Sequence, residues 1–122
     1  MEKLYLKIAV CYFAAGVLLG MTMGIIHDFR LTSVHAHINL LGWVSMTLFG
    51  LIYHFYPAAA RTKLAQTHFW FHNIGLPIMM MAISFQIWTG DTAFMPAAII
   101  GSLLIVIGVL LFAINLFKQM NK

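Results

Sequence analysis

The chain has 122 residues, of which 62% are hydrophobic and only 8% charged, where a soluble domain carries about a quarter charged residues. That balance excludes an ordinary water-soluble fold and makes lipid the solvent. Seven Lys and Arg against three Asp and Glu give a net charge of +4, yet the basic residues are scattered at segment ends and form no nucleic-acid footprint. Four windows without charged residues, roughly 8–26, 35–56, 68–89 and 95–117, reach the ~20 residues that a helix needs to cross hydrocarbon. Lipid cannot satisfy free backbone groups, so the expected fold is all-α and integral to the membrane. It is a single domain over residues 1–122, a bundle of four transmembrane helices joined by short connections. Lys3, Lys7, Arg61, Lys63, Lys118 and Lys122 fall on one side of this bundle and only Arg30 on the other. The positive-inside tendency then puts both termini in the cytoplasm, and the expected location is the bacterial inner (cytoplasmic) membrane, crossed several times.

The apolar run of helix 1 exceeds the 7–15 residues of a signal-peptide core, and no small-x-small cleavage site precedes "HDFR". Its Cys11 is the one cysteine, so no internal disulfide forms. In "GVLLGMTMG", Gly16, Gly20 and Gly24 recur every fourth residue. Such a groove lets another helix approach closely, either as a seam within the bundle or as a contact between copies. His27 ends the helix, with Met21 and Met23 nearby as secondary candidates for axial ligation of a heme.

Helix 2 opens with "SVHAHINLLGW". On a regular helix, His35 and His37 are separated by about 200° of rotation, so their rings leave opposite faces and cannot chelate one ion. They can serve two sites on either side of the helix. Asn39, Gly42, Met46, Phe49 and Tyr53 continue the His35 face; Leu41, Val44, Leu48 and Phe55 continue the other. Gly42 beside Trp43 offers room for a flat, bulky body. Ionisable residues in lipid are costly unless a ligand, a partner or water compensates them; the alternative is that both rings sit at the headgroup boundary.

The helix closes with "YHFYP", aromatic residues at headgroup level followed by Pro57. His54 ends it, and His68 and His72 begin helix 3 one turn apart on one face, continued by Gly75 and Met79. Three neutral imidazoles in this group offer a zinc or copper site; the plainer alternative is interfacial histidines with His72 satisfied by a neighbour. His37 and His54 lie about 25 Å apart along helix 2, so no single ion joins the outer and inner groups of one subunit. Pro77 deprives the Asn73 carbonyl of its donor and is expected to bend helix 3. Helix 4 is read as a packing wall without chemistry.

"VHAHINLLGWVSMTLFGLIYHFYP" resembles the tenth helix of the catalytic subunit of heme–copper oxidases, above all the C-type cytochrome oxidases. The pattern is carried by His35, His37, Leu41-Gly42-Trp43, Phe49-Gly50, Tyr53 and Pro57. "HFWFHNIGLP" is similar to the start of their eleventh helix at His68, Phe69, Trp70 and Gly75. The resemblance implies that His35 is a ligand of a high-spin heme and His37 of a low-spin heme, both b-type. The helices that complete the family's ligand set and hold its copper are not in this sequence. The oxidase subunit resembles three four-helix arcs, one of which is the size of this chain, so a homotrimer is expected. A heme would be held by histidines of two subunits, or by His37 with His27 of one. The expectation is a membrane heme protein of electron transfer or diatomic-gas binding, with an electron donor or oxidase subunits as partners and oxidoreductase activity only in an assembly. The alternative is a copper- or zinc-binding or oxidase-assembly protein without heme.

Overall fold

The computed structural model describes residues 2–120, which fold entirely into helices and the short turns between them. Lys122, counted above toward the inner side, lies outside the described residues. Helix 1 is α1 (Glu2–Ile26). Helix 2 is continuous over Thr32–Phe55 but winds in three ways: α2 (Thr32–His37), a π-helical segment (Ile38–Val44) and α3 (Ser45–Phe55). A short α4 (Pro57–Ala60) leads into α5 (Lys63–Thr89), and a single 3₁₀ turn (Thr92–Phe94) opens α6 (Met95–Met120).

Three of these spans, Glu2–Ile26, Thr32–Phe55 and Thr92–Met120, are long and apolar enough to cross a membrane, with mean hydropathies of 2.0, 1.4 and 2.9. α5, with 27 residues, matches them in length but not in apolarity, since His68, His72, Asn73 and Gln86 interrupt it. The helices also outrun the apolar windows, because the ends are set by caps and not by hydropathy. Thr62 starts α5 five residues before the window by accepting a hydrogen bond from Ala65 N–H at 3.1 Å. Gly90 stops it with φ 67°, where only glycine is free of penalty. Tyr56, directly before Pro57, leaves the helical region and ends α3. At the end of α1 the left-handed position falls on His27, with φ 52°, and Asp28 N–H reaches back to the Met23 carbonyl at 3.2 Å. α5 runs through Pro77 as one helix.

The helices pair as two antiparallel hairpins, α1 with helix 2 and α5 with α6. In the second hairpin a methyl group at Gly75 would lie 2.8 Å from the Gly101 carbonyl oxygen, and one at Gly101 would lie 2.7 Å from Met79 N. Backbone therefore touches backbone there, as small residues allow in lipid. The hairpins join around an aromatic core of Tyr5, Phe49, Tyr53 and Phe69 flanked by Phe112, and a second core of Val34, Leu76, Met79, Met80 and Ile105. Fully buried Asn115 of α6 ties down the loop between them. Its Nδ2 donates to the Ala59 carbonyl at 2.9 Å and its Oδ1 accepts from the Thr62 hydroxyl at 3.0 Å.

Candidate functional site

α2 sends its two histidines to different neighbours. The His35 ring packs into the α1 seam, where a methyl group at Gly20 would come within 2.8 Å of its Nε2. One turn on, the Asn39 amide fills the notch at Gly16, and its Nδ2 donates to the His35 carbonyl at 2.8 Å. Gly16 and Gly20 thus form a seam inside the bundle, whereas Gly24 has nothing within 4 Å. The room expected at Gly42 and Trp43 is not available to a cofactor. Tyr12 packs directly onto Gly42, and Trp43 stacks on Phe13 with ring centroids 4.5 Å apart.

His37 lies across the helix from that seam. It is half-buried at the rim of a groove of about 440 Å³ that it lines with Leu41, Met79, Ser102, Ile105 and Val106. Its Nδ1 is 2.7 Å from the Ser33 carbonyl oxygen, which can only accept, so Nδ1 carries a proton and Nε2 is the nitrogen by which a neutral ring would ligate. A histidine whose one nitrogen donates to a carbonyl while the other stays basic is arranged as metal-ligating histidines are. The walls facing it are mostly aliphatic; the exception is the Ser102 hydroxyl, which donates to the Met79 sulfur at 3.0 Å.

Between this pair and the rest of helix 2 lies the π-helical segment, which corrects the regular helix expected from spacing. Ser45 N–H bonds to the Leu40 carbonyl, five residues back. A π segment amounts to one residue inserted into the α ladder, so it turns His35 and His37 by about 100° relative to Met46, Phe49 and Tyr53. Those three residues and Gly42 are buried as the stripe requires.

The inner pair is placed quite differently. His68 and His72 are both fully buried on the inward face of α5, with ring centroids 6.1 Å apart. His68 Nδ1 meets two phenols, the Tyr53 hydroxyl at 2.9 Å and the Tyr5 hydroxyl at 3.2 Å. His72 Nε2–H donates to the Leu41 carbonyl at 2.8 Å. The Phe49 ring stands edge-on to both imidazoles, 4.4 and 5.2 Å away. Each histidine keeps one buried nitrogen, His68 Nε2 and His72 Nδ1, with no hydrogen-bond partner among the described residues. An unpaired buried polar atom is costly, so this is the least satisfied polar spot in the bundle core.

His54 does not join that pair. It is exposed at the end of α3, its ring against Phe55, beside Glu2, Lys3 and Leu6 of α1. The three-histidine metal group is therefore not assembled, and among the described residues no three His, Cys, Asp or Glu side chains come together as a metal would need. His27 is exposed in the turn after α1; Met21 is exposed and Met23 buried. Sequence reasoning passed over Tyr5 and Asn115, and placed Met79 only on the His68 and His72 face. A lone asparagine in an otherwise apolar helix was the available signal for Asn115, and a tyrosine about one turn into α1 carried none. No protein-family model matches the chain, and no curated protein or solved structure is found similar to it.

Proposed function

We propose that this chain is a membrane-embedded b-type heme protein with electron transfer or diatomic-gas binding as its role, as the resemblance of its second helix to heme–copper oxidases implies. The observation that carries this reading is His37: a proton fixed on Nδ1 by the Ser33 carbonyl, a basic Nε2, and an apolar groove beside it. Those residues fit a heme. His37 would hold the iron, and burial between aliphatic walls would tune its potential, which is the chemistry that the bound group supplies. His35, packed against Gly20, fits a cofactor only where a neighbouring subunit opens that seam; a homotrimer is the assembly proposed for it. In this reading α5 is the fourth membrane span. Its two histidines are turned into the bundle and away from lipid. Both termini face the cytoplasm in this reading, because Lys and Arg gather on that side and the opposite side carries Arg30 alone.

The test is the visible spectrum of the purified protein with hemin. A Soret band that disappears in His37→Ala and persists in His54→Ala is expected. A wild-type chain without a Soret band rejects the proposal. The unpaired nitrogens of His68 and His72 support a second reading, a copper- or zinc-binding protein without heme. Stoichiometric metal lost in His68→Ala, with no Soret band, would establish that one instead.

A further inference from the structure

We propose that His72 is a positioning residue for the His37 groove and acts through the Leu41 carbonyl. Its link to a cofactor rests on the heme reading; its geometry is carried by the fold alone. π winding strains a helix and persists where something outside holds it. Two holds are present here, on two sides of the same turn. From α1, Tyr12 presses on Gly42. From α5, the His72 Nε2–H grips the Leu41 carbonyl at 2.8 Å. Ser45 N–H, the donor that an α-helix would give to Leu41, is committed to Leu40. The imidazole thus replaces the lost bond at the place where five-residue turns hand back to four-residue turns. The same Leu41 lines the groove beside His37.

His72 is itself held firmly. It is fully buried, Phe49 stands edge-on to its ring, and its backbone N lies 3.5 Å from where a methyl group on Gly108 would be. If the segment rewound as α-helix, His35 and His37 would turn by about 100° against the buried stripe. His37 would leave the groove and His35 the Gly20 notch. The α5–α6 hairpin therefore sets the direction in which the outer histidines point, from one turn of helix away.

The experiment is solution NMR of the full chain in detergent micelles, reading contacts from the His37 ring to the methyl groups of Ile105, Val106 and Val109. His72→Leu is expected to abolish them, and His72→Gln, whose amide N–H can still donate, to restore them. If His72→Leu fails to fold, His72→Asn serves in its place, since its amide is too short to reach Leu41. In parallel, hemin affinity is expected to fall by about 10- to 100-fold in His72→Leu, as for the loss of other supporting groups around a metal, and to recover in His72→Gln. Persistence of the ring-to-methyl contacts without the imidazole overturns the proposal. Failure of the wild-type chain to take hemin overturns the heme reading alone, and the methyl contacts then decide the role of His72.

Discussion

Two histidine pairs, separated in spacing by only two residues, meet opposite fates in this molecule. His35 and His37 are half-buried and face different neighbours, a packed glycine seam and an open apolar groove. His68 and His72 share one face and are shielded completely, His68 among Tyr5, Tyr53, Phe49 and Phe112 and His72 against Phe49. Spacing explains the division: two residues are more than half a turn, and four are close to a full one. His37 alone of the first pair stands beside open space, whereas His68 and His72 hold the two hairpins together.

The sharpest way to break this comparison is to remove a ring from each pair. His68→Ala leaves a void and takes a hydrogen-bond partner from two buried phenols, so a loss of about 3–5 kcal/mol is expected in denaturant titration of the detergent-solubilised protein. His37→Ala, at a half-open rim, is expected to cost less than about 1 kcal/mol in the same assay. Equal losses would mean that the inner pair is not the structural one. Replacing His68, Tyr5 and Tyr53 together by Phe should recover most of the His68→Ala loss, because no polar partner is then left over.

A second contrast lies between glycines. Gly101→Leu must force α6 away from Met79 and Gly75, and a thermal-melt loss equivalent to about 2–3 kcal/mol is expected. Gly24→Ala meets nothing and should stabilise α1 by about 0.5 kcal/mol or more. At His27, the left-handed backbone makes glycine the better residue, and His27→Gly is expected to stabilise by about 1 kcal/mol while leaving any Soret band intact. The smallest effect belongs to the exposed pair Asp28 and Arg30. Hydrogen bonds from the Arg30 guanidinium hold the Asp28 carboxyl below its usual range. Its contribution is therefore present above the ordinary carboxylate pKa and lost as pH falls through the lowered one. Arg30→Ala should remove that acid dependence with little change in the melting temperature at neutral pH, and high salt should mask it.

Much of this arrangement was legible in single residues. The alternating fate of His35 and His37 followed from two residues of helix, and the buried run Gly42, Met46, Phe49 and Tyr53 from its spacing. The pairing of His68 with His72 followed equally from one turn. What escaped was set by tertiary contact. No residue preference announces a π segment; Ile38–Val44 winds so where Tyr12 of α1 and His72 of α5 meet it, and both are remote in sequence. The space suggested by Gly42 and Trp43 was real but already filled, because an empty notch in a sequence does not say whose side chain enters it. α6 packs as the wall its hydropathy implies, but nothing in that hydropathy shows that Gly101 meets the α5 backbone or that Asn115 clasps the loop.

The close contact of Gly75 with Gly101 bears on how the chain is made. α5 alone is a poor candidate to partition into a bilayer, since two histidines, an asparagine and a glutamine must be dehydrated. α6, the most apolar of the candidate spans, follows it after a turn of a few residues. On the reading that α5 spans the membrane, it is expected to enter lipid paired with α6. A ribosome stalled before α6 emerges would leave α5 extractable by alkaline carbonate, and release of the stall would embed it.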